Sequence, residues 1–135
     1  MADRNAIENV LMTWALGYDD RSPTLMERCF TSDATMTLHI GDAETMGPYV
    51  GRAEVMKHFT DHHETQTDQR RHVVTNVILV DETDTSVDTI SCLTLLVVED
   101  DVCRVQATGV YRDRFVSDGD EWRIRERVLR LDAHY

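Results

Sequence analysis

Four long segments in the second half of the chain carry the residue pattern of β-strands, and this feature limits the possible folds most. Each segment is rich in Val, Ile, Thr, Leu and aromatic residues, and each is bounded by a short acidic or glycine-containing turn. They cover residues 72–80, 86–98, 102–116 and 121–131. The short turns predict an antiparallel meander, and strands of this length must coil strongly if the sheet is to wrap around a core.

The first half of the chain is predicted to be mainly helical. Apolar residues recur at three- and four-residue spacing from Ile7 to Tyr18, which is typical of a helix with one buried face. Ser22 and Pro23 supply an N-cap and a first-turn proline for a second helix. The predicted helices cover residues 5–18, 24–30 and 52–64, with one strand over 34–40 and a shorter one near Tyr49.

The predicted helices come first along the chain and most of the sheet follows, which is typical of an α+β protein rather than of alternating βαβ units. We therefore predict three N-terminal helices packed on a strongly curved, mixed but mainly antiparallel β-sheet, whose concave side forms a pocket. The length of 135 residues suits one domain over residues 1–135.

The charge balance argues against polyanionic partners. The chain has 25 acidic and 14 basic residues, a net charge of −11, so its surface would repel the phosphates of nucleic acid and of anionic lipids. The first residues have neither the basic nor the apolar region typical of a secretory signal, so none is expected, and the sequence contains no run of about 18 apolar residues. We predict a cytoplasmic protein that binds neither nucleic acid nor membrane.

The histidine and cysteine patterns do not favour a metal site. The cysteines are far apart and predict small core residues, namely Cys29, Cys92 and Cys103. His58, His62 and His63 form an HxxxHH pattern, but Phe59 stands where a zinc protease would have glutamate. A solvated helix face is the favoured interpretation. We predict no metal and no cofactor.

Six short segments carry a resemblance to a known family. They are WALGYDDR from Trp14, LMERCFTSDA from Leu25, GRAEV from Gly51, HVVTN from His72, GVYRD from Gly109 and EWRIR from Glu121. In their order and spacing the chain resembles the SnoaL-like branch of the NTF2-like superfamily, whose members form a cone of curved sheet closed by helices. It is most similar to the scytalone-dehydratase and dehydrochlorinase-like group.

The resemblance implies a catalytic dyad of Asp19, which follows the first helix, and His72, which opens the strand after the third helix. A neutral imidazole accepts a proton near neutral pH, and a carboxylate bonded to one ring nitrogen orients it. Such a pair suits elimination or isomerisation. The alternative is that both residues are ordinary solvated groups, one in a polar loop and one at a strand end.

The function predicted in this way is that of a cofactor-independent, dehydratase-like lyase or isomerase acting on a small, largely apolar cyclic substrate, and assembled as a homo-oligomer, either dimer or trimer. The alternative is a non-catalytic NTF2-like binding or scaffold module, such as a protein similar to the small subunit of a ring-hydroxylating dioxygenase.

Four residues are candidates for substrate binding: Trp14, Tyr18, Tyr49 and Asn76. Tyr18 and Asp19 are neighbours on a helix and point about 100° apart, so we do not expect both to be central to the pocket. Tyr49 lies between two glycines at a position where the resembling dehydratases often present a tyrosine. Asn76 lies four residues after His72 on one strand, so regular alternation places the two side chains on the same face unless a bulge intervenes.

The last strand is rich in arginine. Strict alternation places Arg123, Arg125 and Arg127 on one face, which we expect to meet solvent or a partner subunit. Glu126 then falls on the apolar face, where it is either paired with an arginine or part of the pocket.

Overall fold

All the predicted helices and strands form in the computed structural model, which describes residues 2–133. Their bounds are α1 (Arg4–Asp19), α2 (Pro23–Glu27), β1 (Phe30–Ile40), β2 (Glu44–Val50), α3 (Arg52–Thr65), β3 (Gln69–Val80), β4 (Ser86–Glu99), β5 (Val102–Asp118) and β6 (Glu121–Leu131). Helix α2 is shorter than predicted, because the sheet already begins at Phe30. The backbone N–H of Ile124 in β6 donates to the carbonyl of Cys29 at 2.7 Å, and Phe30 pairs with Ile124.

The described strands form one six-stranded sheet in the order β2-β1-β6-β5-β4-β3. Strands β3 to β6 are the predicted antiparallel meander. Strand β1 pairs antiparallel with β2 and parallel with β6, which makes the sheet mixed. The predicted fold class, α+β with helices packed on a mixed and mainly antiparallel sheet, is confirmed.

The sheet curls around the helices, because residues from distant strands line the same interior. Helix α1 packs against β3 at one edge of the sheet, and α3 packs against β1 and β2 at the other. Leu38 of β1 and His72 of β3 line one cavity, although three strands lie between theirs in the sheet. The concave face therefore encloses the interior in which a site is expected.

Helix α1 carries its apolar stripe directly into this interior. Asp3 caps the helix by accepting a hydrogen bond from the backbone N–H of Asn5 at 2.9 Å. Gly17 allows α2 to approach closely, since a Cβ there would lie only 2.9 Å from the Cβ of Leu25. The buried stripe consists of Ile7, Leu11, Trp14, Ala15 and Tyr18.

A bulge in β6 reverses the predicted orientations of Glu126 and Arg127. Arg125 is the extra residue, since Ile124 and Glu126 pair with consecutive residues of β5. Beyond the bulge, Arg127 points inward and is fully buried, whereas Glu126 is exposed. The predictions that Arg127 faces outward and that Glu126 lies on the apolar face were wrong, because one extra residue moves every later side chain to the opposite face.

Candidate active site

The carboxylate of Asp19 holds His72 at two points. Its Oδ1 accepts a hydrogen bond from the ring Nδ1 of His72 at 2.7 Å, and its Oδ2 accepts one from the backbone N–H of His72 at 2.9 Å. The two side chains expose only 5% and 7% of their surface, respectively. A carboxylate accepts and does not donate, so Nδ1 carries the ring proton and Nε2 is the basic nitrogen.

This contact follows from the way in which the end of α1 is fixed. Asp19 is the last residue of the helix, where backbone carbonyls lack helical partners. The side chain of Gln69 in β3 donates to the carbonyl of Asp19 at 3.0 Å, and the ring Nε2 of His63 in α3 donates to the carbonyl of Tyr18 at 3.1 Å. The helix end is therefore tied to both neighbouring elements, which keeps the Asp19 carboxylate against His72.

The environment of His72 favours the neutral imidazole. Burial lowers the pKa of His72 below its ordinary value of 6.5, and the positive charges of Arg70 and Arg127 act in the same direction. The hydrogen bond and charge of Asp19 raise this pKa, but the net effect of all these contributions is a lowered pKa. At neutral pH His72 therefore has one unprotonated ring nitrogen, and the carboxylate of Asp19 is bonded to the other.

Two aromatic rings of α1 pack edge-on against the imidazole. The ring centroids of Tyr18 and Trp14 lie 4.7 Å and 5.3 Å from that of His72. The expectation that Tyr18 and Asp19 would not both be central to the pocket is confirmed, since Tyr18 lines the cavity and Asp19 lies outside its lining. Both side chains nevertheless contact His72: Asp19 accepts a hydrogen bond from its Nδ1, and Tyr18 packs against its ring. The hydroxyl of Tyr18 donates to Oε1 of Gln66 at 3.1 Å.

A cavity of about 70 Å³ adjoins this cluster. Its walls are mainly apolar, whereas His58, His62 and Arg70 keep some contact with solvent and mark its mouth. A cavity of about 150 Å³ holds benzene, so a ring-sized molecule enters this one only when side chains at the mouth move. Its remaining lining residues are Trp14, Tyr18, Met36, Leu38, Phe59, His72, Leu93, Leu95, Tyr111, Leu129 and Leu131.

The other two predicted binding residues lie outside the cavity lining. Tyr49 packs on His58 with ring centroids 4.6 Å apart, so it supports a residue of the mouth from behind. Asn76 is exposed, on a shallow groove beside α1. The inference that Asn76 shares the face of His72 was wrong, because the β3–β4 register shifts just after Thr75 and Asn76 adopts a positive φ of 57°.

The three histidines of α3 have separate roles. His58 and His62 pack against each other at the cavity mouth, with ring centroids 4.4 Å apart. Burial, together with the nearby charge of His62, lowers the pKa of His58 to about 4, so His58 is neutral at neutral pH. His63 is bound to the end of α1. Within residues 2–133, no group of three or more His, Cys, Asp or Glu side chains is arranged to hold a metal ion.

A buried ion pair behind the cavity was missed by the sequence analysis. The guanidinium of Arg127 donates through Nε and Nη2 to the two carboxylate oxygens of Asp113 at 2.8 and 3.1 Å. Its central carbon lies 4.1 Å from the ring centroid of Tyr111 and 4.6 Å from that of Trp14. Both rings also line the cavity, so the ion pair supports the cavity wall from the side of the sheet.

Comparisons with known proteins agree with this architecture. The sequence matches a family profile described as a SnoaL-like domain over residues 1–128. No curated protein matches the sequence. None of the helices in the described part of the chain is long and apolar enough to span a bilayer.

Solved structures of low sequence identity share the fold. ActVI-ORFA from Streptomyces coelicolor is 21% identical, with a TM-score of 0.78 over 95% of this chain and 96% of that chain. A protein of Novosphingobium aromaticivorans, provisionally assigned as scytalone dehydratase, is 18% identical, with a TM-score of 0.76 over 97% and 87%. The β subunit of a provisionally assigned aromatic-ring-hydroxylating dioxygenase from the same organism is 15% identical, with a TM-score of 0.82 over 98% and 90%.

Proposed function

The chain belongs to the SnoaL-like domain family, and from this premise we propose that it is a cofactor-independent, dehydratase-like lyase or isomerase in which His72 removes a proton and Asp19 orients His72. One observation carries the proposal. A buried carboxylate fixes one nitrogen of a neutral imidazole, and the imidazole lines an apolar cavity.

The proposed chemistry uses only this chain's own groups. Nε2 of His72 takes a proton from a carbon of the bound molecule, and the electron pair of the broken C–H bond moves into the substrate. In a dehydration, that pair forms the new C=C bond as the C–O bond breaks, and the departing hydroxide takes the proton from the imidazolium as water. In an isomerisation, the imidazolium returns the proton to a different carbon. Asp19 stabilises the imidazolium throughout.

The lining and the volume of the cavity favour a small and largely apolar cyclic substrate. Leucine and aromatic side chains form most of its wall, so polar groups of a ligand find partners only near His72 and at the mouth. Its small volume excludes extended chains and large ring systems unless the mouth opens widely. The absence of an activated serine or cysteine from its described lining agrees with proton transfer rather than acyl transfer.

Solvent hydrogen exchange tests this function without knowledge of the natural substrate. Cyclohexanone and β-hydroxycyclohexanone are incubated with the protein in deuterated water, and NMR follows deuterium at the α-carbon and the appearance of enone. We expect the wild type to accelerate exchange or elimination, and His72→Gln to return the rate to background. His39→Gln is the matched control, because His39 lies on β1 outside the cavity lining and bonds Thr45. Equal rates for the wild type and His72→Gln would contradict the proposal.

One observation fits the scaffold alternative as well as the enzyme. The outer face of β3 to β5 exposes apolar side chains, including Val73, Val98 and Val105, which a partner would cover. This face also suits the homo-oligomer, dimer or trimer, that we propose for the enzyme. Purification separates the two roles, since a scaffold is expected to elute with a larger subunit and the enzyme as copies of itself.

A further inference from the structure

We propose that Arg70 is a second catalytic residue, which binds a carbonyl oxygen of the substrate and stabilises the negative charge on that oxygen while His72 removes the adjacent proton. The inference rests on the proposed function and narrows its substrate class to enolisable cyclic carbonyl compounds.

Arg70 and His72 face the same cavity from the same strand. They are two residues apart in β3, so their side chains lie on one face at a separation of about 7 Å along the strand. Both line the cavity, His72 within it and Arg70 at its mouth. A molecule that reaches from His72 to the mouth of the cavity can therefore contact the proposed base with one atom and the guanidinium with another.

The guanidinium of Arg70 is held in place by a partner on one side. Its Nε donates to Oδ1 of Asp68 at 3.1 Å, and its side chain is only 19% exposed. Asp68 is itself fixed, since its backbone carbonyl accepts hydrogen bonds from Arg21 at 2.9 Å and from Gln66 at 3.1 Å. The bond to Asp68 uses Nε, which leaves both Nη groups to donate to a ligand. Such preorganisation is what an oxyanion-binding group needs.

Arg70 is the one arginine or lysine that lines the cavity in the described part of the chain. His58 is neutral at neutral pH, and burial keeps His72 neutral before proton transfer. Arg127 lies behind the rings of Trp14 and Tyr111 and is bound to Asp113. Negative charge that develops on a ligand in the cavity therefore meets a permanent cation at Arg70.

The chemistry of proton removal requires such a group. When the α C–H bond of a ketone breaks and the proton moves to Nε2 of His72, the electron pair forms a C=C bond and the carbonyl π pair moves onto oxygen. The resulting enolate bears its charge on that oxygen. Collapse of the enolate then expels a β-hydroxyl as hydroxide, which takes the proton from His72, or returns the proton to carbon. Removing one donor to such an oxygen typically lowers kcat by about 10²–10³.

The test uses para-nitrophenol, whose phenolate mimics an enolate and has a different visible absorbance from the phenol. Absorbance titrations measure the pKa of the bound phenol in the wild type, Arg70→Gln, Arg70→Lys and Arg71→Gln. We expect the wild type to lower this pKa relative to free phenol, and Arg70→Gln to weaken phenolate binding about ten- to a hundredfold. Arg70→Lys retains part of the effect. Arg71→Gln is the matched control, because Arg71 is exposed and its Nη1 lies 3.8 Å from Oδ1 of Asp20. This variant should behave like the wild type.

Two results would overturn the role of Arg70. One is a wild-type protein that fails to bind para-nitrophenol or does not promote its ionisation, which needs no variant to fold. The other is promotion of ionisation that is unchanged in Arg70→Gln. Deuterium exchange at the α-carbon of cyclohexanone distinguishes a wrong role for Arg70 from a wrong proposed function. If exchange at the α-carbon depends on His72 but Arg70 has no effect on the ionisation of the phenol, only the role of Arg70 is wrong. If ionisation of the phenol depends on Arg70 but no exchange occurs, the cavity is an anion-binding site and the proposed proton-transfer function is wrong.

Discussion

Replacing His72 with glutamine is expected to lower kcat for proton transfer by a factor of about a thousand, because the variant lacks the nitrogen that accepts the proton. Asp19→Asn should cause a comparable loss. The amide keeps the shape of the side chain but favours the wrong tautomer and no longer stabilises the imidazolium. The double variant should be hardly worse than His72→Gln alone, since the two residues act as one unit.

The pH dependence of this activity has a defined direction. Because the pKa of His72 is lowered below 6.5, the base stays unprotonated as the pH falls through that value, and activity declines only in more acidic solution. Steady-state rates on the ketone probes, measured over a pH series, provide the comparison. Asp20→Asn is the matched control for Asp19→Asn, since Asp20 is adjacent but exposed. A similar loss in Asp20→Asn, or a His72→Gln variant that retains its rate, would refute the dyad.

The second large effect concerns stability. Asp113→Ala is expected to lower the free energy of unfolding by about 3–5 kcal/mol, because it leaves the guanidinium of Arg127 buried without its counter-charge. Replacing both partners, as in Asp113→Leu with Arg127→Met, should recover much of that loss, since the unpaired charge is removed as well. Urea denaturation of the wild type and of these two variants measures both differences.

A surface ion pair between β4 and β5 offers a matched comparison. Arg114 donates to both carboxylate oxygens of Asp88 at 2.7 and 2.9 Å, but its side chain is 57% exposed. Asp88→Ala should therefore cost no more than about 1 kcal/mol, although the hydrogen-bond geometry resembles that of Asp113 and Arg127. Equal losses in Asp88→Ala and Asp113→Ala would show that burial of Arg127 does not govern the effect.

The sequence was sufficient to predict the features that depend on regular periodicity. The three- and four-residue spacing of apolar residues placed Trp14 and Tyr18 on the buried face of α1, and the alternating segments gave the four strands of the meander. The prediction that Asp19 and His72 form a pair, by contrast, came from the family resemblance. No local pattern tells a buried carboxylate at a helix end from a solvated one.

The errors arise where regular alternation stops. Asn76 and Arg127 were both assigned to the wrong face, because each lies at or beyond a bulge and one extra residue reverses the alternation. The sequence did contain a weak signal for the buried pair. Asp113 lies two residues after Tyr111 on β5, so regular alternation places both side chains on the same face of the sheet. Arg70 was not predicted as a site residue, because its position at the cavity mouth depends on the curvature of the whole sheet.

The protonation state of the His72 ring tests the central claim most directly and requires no substrate. Nitrogen NMR of the labelled protein distinguishes the two neutral tautomers from the imidazolium. The dyad predicts a proton on Nδ1 and a bare Nε2 at neutral pH, with protonation only below the ordinary histidine range, and predicts that Asp19→Asn changes the tautomer while Asp20→Asn does not. A proton on Nε2, or an imidazolium at neutral pH, would contradict the assignment of His72 as the base.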